Sequence, residues 1–117
     1  MNPTELKART KTFALRIIKL TRAIPKNDDA GRVIAKQIVR SGTSVAANYR
    51  ASCRARSRAE FVSKTGTVEE EADETALWLE LLIESEIIPV KKLSALLEEA
   101  NALTAIMAAS RKTASGK

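Results

Sequence analysis

The chain has 117 residues, 44% of them hydrophobic, 29% charged and only 3% aromatic, with a formal net charge of +6 and no histidine. That length supports one domain with a single core, and so few residues of the kinds strands prefer point to helical packing. The missing histidine removes the commonest general base, transition-metal ligand and near-neutral pH switch together, and the lone Cys53 excludes an internal disulfide and a thiolate zinc site.

The first element is predicted from Pro3 to Ile24, where Leu6, Phe13, Ile17, Leu20 and Ile24 fall on one helical stripe. Lys7, Arg9, Lys11, Lys19, Arg22 and Lys26 make up its polar face. Charges scattered through this segment leave no signal-peptide core, and no apolar run in the chain approaches the roughly 20 residues that span a bilayer, so a cytoplasmic setting is expected. Pro25 stops the helix, because the residue before a proline is pushed out of the α region. Asn27, Asp28 or Asp29 then caps a second helix, expected from Asp29 to Ala55 with Ile34, Ile38, Val45 and Tyr49 on its buried stripe. Gly42 and Ala46, one turn apart, admit a close neighbour.

Ser57 is the next cap, with Glu60 three residues on to complete a capping box. The third helix should run from Ser57 to Ile87, since Phe61, Thr65, Val68, Ala72, Thr75, Leu79 and Leu82 alternate by fours and threes, the spacing of near-parallel helix packing. Trp78, Leu81 and Ile83 widen that stripe beyond what one neighbour covers. Pro89 opens a fourth helix from Val90 to Arg111, carrying Leu93, Leu96, Leu97, Ala100, Leu103, Ile106 and Met107. Residues 1–111 therefore form one all-α, antiparallel up-down-up-down four-helix bundle, and residues 112–117 a disordered tail.

Charge is divided between the halves. Residues 1–64 hold fifteen Lys or Arg against four Asp or Glu, a net of +11, and residues 65–117 hold five against ten, a net of −5. Part of this opposition is neutralised within the bundle, and the remainder is available to an anionic partner. The candidate nucleic-acid-binding residues are Arg32 and Lys36 on helix two with Arg50, Arg54, Arg56 and Arg58 at its end and beyond, spaced to track phosphates. The competing reading makes the same arginines a solvated face, salt-bridged to Glu69, Glu70, Glu71, Asp73 and Glu74. Arg40, Ser44 and Asn48 share one face of helix two, and with Glu71 and Glu74 they are expected to form an inter-helical polar network, Arg40 or Arg50 pairing with either glutamate.

No catalytic machinery accompanies these groups. A di-metal carboxylate centre needs the Glu-x-x-His pairs of such bundles, and Ser41, Thr43 and Ser44 lack a base to make them nucleophiles. Cys53, in a basic stretch, is read as an ordinary thiol near a helix end, with a thiolate made reactive by the neighbouring cations as the alternative. Tyr49 and Trp78 are read as anchors of a subunit interface. No enzymatic activity, metal or cofactor is expected.

The run QIVRSGTSVAANYR from Gln37 to Arg50, followed by Arg56-Ser57, Glu60-Phe61, Glu71-Ala72-Asp73-Glu74-Thr75 and Trp78-Leu79-Glu80-Leu81-Leu82, resembles the four-helix-bundle family of the protein encoded by the intervening sequence of bacterial 23S ribosomal RNA. The family often carries Glu directly after the Asn-Tyr-Arg triplet, where this chain has Ala51. The resemblance implies a homopentameric ring in the bacterial cytoplasm. It also implies kinship of fold with the accessory variability determinant of diversity-generating retroelements, a basic ring that engages nucleic acid and a reverse transcriptase. The expected function is thus a non-enzymatic oligomeric binding or scaffolding module, its partners further copies of itself and RNA, DNA or a nucleic-acid-processing protein. A purely structural oligomer without nucleic-acid affinity is the alternative.

Overall fold

Four helices carry the chain in a computed structural model that describes residues 1–116: α1 (Pro3–Thr21), α2 (Asp29–Ser52), α3 (Arg58–Glu84) and α4 (Val90–Ala114). Each of the first three starts at a side-chain cap. Asn2 Oδ1 accepts the Glu5 N–H at 2.8 Å, Asp28 Oδ1 that of Gly31 at 2.8 Å and Ser57 Oγ that of Glu60 at 3.0 Å. The Ser57 cap is one half of the expected box. The Glu60 carboxylate turns instead toward Arg56, 3.9 Å away. α4 begins behind Pro89 with no side-chain cap.

The helix ends depart from the sequence expectation by a few residues, each for a local reason. α1 stops at Thr21, because Arg22, Ala23 and Ile24 tighten into turns bonded to the third residue back as the chain approaches Pro25. α2 stops at Ser52 and not Ala55; Arg54 and Ala55 make the same tighter bonds, which turn the chain toward an extended Ser57. α3 ends at Glu84 in a Schellman arrangement, with Ile87 N–H bonded to the Leu82 carbonyl and Glu86 N–H to that of Ile83, both at 3.0 Å. α4 runs on to Ala114, so Lys112, Thr113 and Ala114 are helical and not part of a disordered tail. Nothing in that stretch breaks a helix until Gly116, which takes the left-handed conformation past the cap. Lys117 lies outside the described residues.

The helices pack as an antiparallel bundle of 46 × 20 × 19 Å. Phe13, Ile17, Ile38, Val45, Val68, Leu79, Leu82, Leu103 and Met107 fill its axis, essentially sealed from solvent. The α2–α3 and α3–α4 seams are the most extensive, α1–α2 is intermediate and α1–α4 is sparse. α1 is therefore held chiefly by α2. The close approach there is at Gly42, where a Cβ would stand 2.9 Å from both γ carbons of Ile17.

Candidate functional site

The outward face of α2 is a stripe of positions three and four apart: Arg32, Lys36, Arg40, Thr43, Ala47, Arg50 and, just past the helix end, Arg54. It lies opposite the buried stripe of Ile34, Ile38, Ser41, Val45, Tyr49 and Ser52, so the cations face solvent because the apolar positions fix the helix rotation. The cations differ in how far they are already committed. Arg32 reaches Asp29 and donates to the Lys26 carbonyl at 2.9 Å. Arg40 is drawn sideways onto α3. Lys36, Arg50, Arg54 and Arg58 make no ion pair among the described residues, and Arg56 has only the loose contact with Glu60. Salt bridges to the acidic run of α3, the competing account of this surface, thus reach Arg40 alone among these arginines.

From Lys36 to Arg50 the helix advances about 21 Å at 1.5 Å per residue, and the face between is neutral once Arg40 is paired. The positive groups therefore form two poles. Lys7 of α1 joins the second pole, because it lines a 440 Å³ hollow at that end of the bundle together with Cys53, Ala55 and Ser57. Sequence spacing could not place Lys7 there, since the two segments meet only through the packing of α1 on α2.

The polar network expected between α2 and α3 is built in two separate parts. Arg40 Nη1 donates to Glu71 Oε2 at 3.0 Å, its Nη2 contacts Glu74, and Glu74 also accepts the Trp78 indole N–H at 3.0 Å. Hydrogen bonding to Glu74, reinforced by both glutamate charges, raises the pKa of Arg40. Burial alone pushes Glu74 up, but the bonds from Trp78 and Arg40 outweigh it, and the carboxyl titrates below its ordinary value. Ser44 and Asn48 stand apart from this cluster, the Asn48 amide donating to the Ser44 carbonyl at 3.0 Å and to its hydroxyl at 2.8 Å. Arg50 does not reach either glutamate.

One buried polar contact had no sequence signal beyond small side chains. The hydroxyls of Ser41 and Thr75, both fully buried, share a 2.8 Å hydrogen bond across the α2–α3 seam. The two proposed interface anchors separate. Tyr49 is 5% exposed and sits in the protomer's own core, where burial, together with the neighbouring Cys53 thiol, raises its hydroxyl pKa. It has almost no surface left for a second subunit. Trp78 is half-buried and leans on the core from the rim of α3. Cys53, half-buried, caps the C-terminus of α2.

Among the described residues no cluster of three His, Cys, Asp or Glu side chains is placed to hold a metal ion, and no helix is long and apolar enough to cross a membrane. What fold and surface define is an all-α bundle carrying unpaired cations on one helix and acids on another. This chain belongs to the 23S rRNA-intervening sequence protein family, which it matches over residues 4–109. A crystal structure from Bacteroides thetaiotaomicron VPI-5482, described as a protein with unknown function from the S23 ribosomal protein family, superposes with a TM-score of 0.86 at 35% identity, covering 96% of this chain and 99% of that one. No curated protein matches the chain.

Proposed function

We propose that the protein is a non-catalytic, self-assembling scaffold that holds nucleic-acid backbone against the outward face of α2 and the turn that follows it. The carrying observation is that Lys36, Arg50, Arg54 and Arg58 remain unpaired in a chain with fourteen acidic residues, ten of them in its second half. Positive charge left free on one face concentrates anions there, and the two poles suit a partner presenting backbone charge at intervals. Arg32 and Arg56 contribute after giving up weak local partners. With no exposed aromatic ring on this face to stack on bases, contacts go to phosphates and are largely blind to sequence. The name of the family, and the basic ring of the retroelement accessory protein, agree with an RNA or DNA partner.

The test is binding of a structured RNA, read by fluorescence anisotropy across a salt series. With about four phosphates neutralised, log K should fall with log salt at a slope of roughly −3 to −4. Arg54→Ala, Arg56→Ala and Arg58→Ala combined should abolish that binding and leave assembly intact. A flat salt response, or loss of assembly in the triple variant, points to a purely structural oligomer.

A further inference from the structure

The one thiol of the chain lies within the second basic pole. Cys53, directly after the last residue of α2, lines the 440 Å³ hollow there, a volume within the ~300–1,000 Å³ of small-molecule sites. Leu6 of α1 and Phe61 of α3 give the hollow an apolar wall, Ser57 adds a hydroxyl, and Lys7 is its one charged side chain among the described residues, with no acid lining it. Lys7 makes no ion pair among the described residues. Tyr49 completes the wall. It is 5% exposed, yet its hydroxyl makes no hydrogen bond to an oxygen or nitrogen among the described residues and has the Cys53 thiol beside it. Buried tyrosine hydroxyls ordinarily find a partner, so this one is left for a molecule that enters.

We infer that Cys53 is a site of reversible thiolation, at which the hollow takes up one half of a low-molecular-weight disulfide carrying carboxylates and seats a carboxylate on Lys7. The Cys53 proton passes to water and the thiolate attacks one sulfur of the incoming disulfide; a new S–S bond forms as the old one breaks, and the other half leaves as a thiolate. Cys53 is thereby oxidised and the departing half reduced, with no further oxidant. The sequence holds no second cysteine to displace the adduct, so it persists until an external thiol reverses the exchange. Selection is by charge. Lys7, with the unpaired Arg50 and Arg54 close to the thiol in sequence, concentrates anionic disulfides and repels cationic ones. The consequence alone rests on the nucleic-acid reading above: a carboxylate on Lys7 withdraws a cation from the second pole, so the thiolated protein holds phosphate less firmly.

The test is the rate of adduct formation on the full-length chain, read by intact-mass spectrometry with glutathione disulfide, neutral hydroxyethyl disulfide and cationic cystamine. The urea-unfolded chain, which keeps the thiol and loses the hollow, is the reference. Folding should raise the preference for glutathione disulfide over cystamine by at least about fivefold, the worth of one unit charge at about 4 Å in water. Lys7→Glu should remove that gain, and Cys53→Ser should give no adduct. Lys7 is exposed, so circular dichroism of its variant should remain that of the wild type. Equal preference in folded and unfolded chains, a gain that survives Lys7→Glu, or a folded chain that forms no adduct overturns the site. In the anisotropy assay thiolation should make the salt slope shallower by about one, and dithiothreitol should restore it; a slope indifferent to the adduct overturns the consequence. A wild type that binds no RNA removes the nucleic-acid reading, while the exchange rates still decide the site.

Discussion

The α2–α3 and α1–α4 seams are built from the same materials and finished differently. At α2–α3 polar groups are consumed: Ser41 bonds Thr75 in the interior, Arg40 spans to Glu71 and Glu74, and Trp78 ties Glu74 from its own side. At α1–α4 one bidentate pair, Arg9 to Glu99 with both N–O distances at 2.7 Å, crosses toward one end, while the other end stays open with apolar floor and unpaired cations. A seam that satisfies its polar groups internally has nothing to offer a partner. One that leaves them free, above apolar side chains, keeps the ingredients of an interface.

The largest effect is expected where α1 is held. Because α4 grips it weakly, α1 depends on its approach to α2 at Gly42. Gly42→Ala gains about 1 kcal/mol of helix propensity but drives a methyl into Ile17, whose Cβ would itself be only 3.1 Å away and cannot rotate clear. Overpacking of this kind costs about 1–3 kcal/mol, so after the gain of about 1 kcal/mol a net destabilisation of up to about 2 kcal/mol is expected by urea denaturation. In an Ile17→Ala background the same change should become neutral or stabilising. A stabilising Gly42→Ala in the wild type would mean that α1 is not seated on α2 this closely.

The closed seam is tested by a double-mutant cycle. Ser41→Ala and Thr75→Val should each cost about 1 kcal/mol, the net worth of the bond lost across the seam, while the remaining hydroxyl keeps a carbonyl of its own helix, Glu71 for Thr75 at 2.8 Å and Ile38 for Ser41 at 3.4 Å. Together they should cost less than the sum, because the one bond that both changes remove is lost only once. Additivity would show that the two hydroxyls are not coupled.

Acid reaches this seam through Glu74. Its carboxyl titrates lower when folded than when unfolded, so its contribution is fully present above the ordinary value of 4.5 and is lost as pH falls through the folded value. The urea midpoint should hold steady above about pH 5 and decline on further acidification. Glu74→Gln should shrink that decline, and an unchanged acid profile would remove Glu74 from the account.

Periodicity carried the fold in the sequence. Threes and fours in the apolar positions foretold four helices, Ser57 was legible as a cap, and Asp28 was one of three candidates until the structure showed its side chain bonded to the backbone of Gly31. Helix ends were less legible. No breaker stands between Ser52 and Ala55 or between Arg111 and Ala114, so the chain stops where its turns and Gly116 dictate. The outward cations of α2 could be read from spacing, but which of them remain free could not, because that depends on the rotation of α3 bringing Glu71 and Glu74 to Arg40 and not to Arg50. Tyr49 was misplaced for a related reason: an aromatic residue on an apolar stripe looks alike whether it faces its own core or a neighbour. The open α1–α4 cleft has no sequence mark at all, since it arises from how far two distant segments stand apart.

The smallest effect sharpens the view of the turn beneath that cleft. Glu86 occupies the left-handed position after α3 with φ at 63°, the place that Gly116 fills after α4 with φ at 76°. A side chain there costs about 1–2 kcal/mol of steric strain, and glycine's greater freedom in the unfolded chain returns roughly 0.5–1 kcal/mol of that. Glu86→Gly should therefore stabilise by about 0.5 kcal/mol, a shift of roughly 2–4 °C in Tm for a domain of this size. Glu86→Ala keeps the Cβ and should show no such gain. The turn leads directly into Ile88, part of the cleft floor, and holds its shape through the Ile87 and Glu86 bonds to the end of α3. If both substitutions destabilise equally, the Glu86 carboxylate and not the backbone is what matters there.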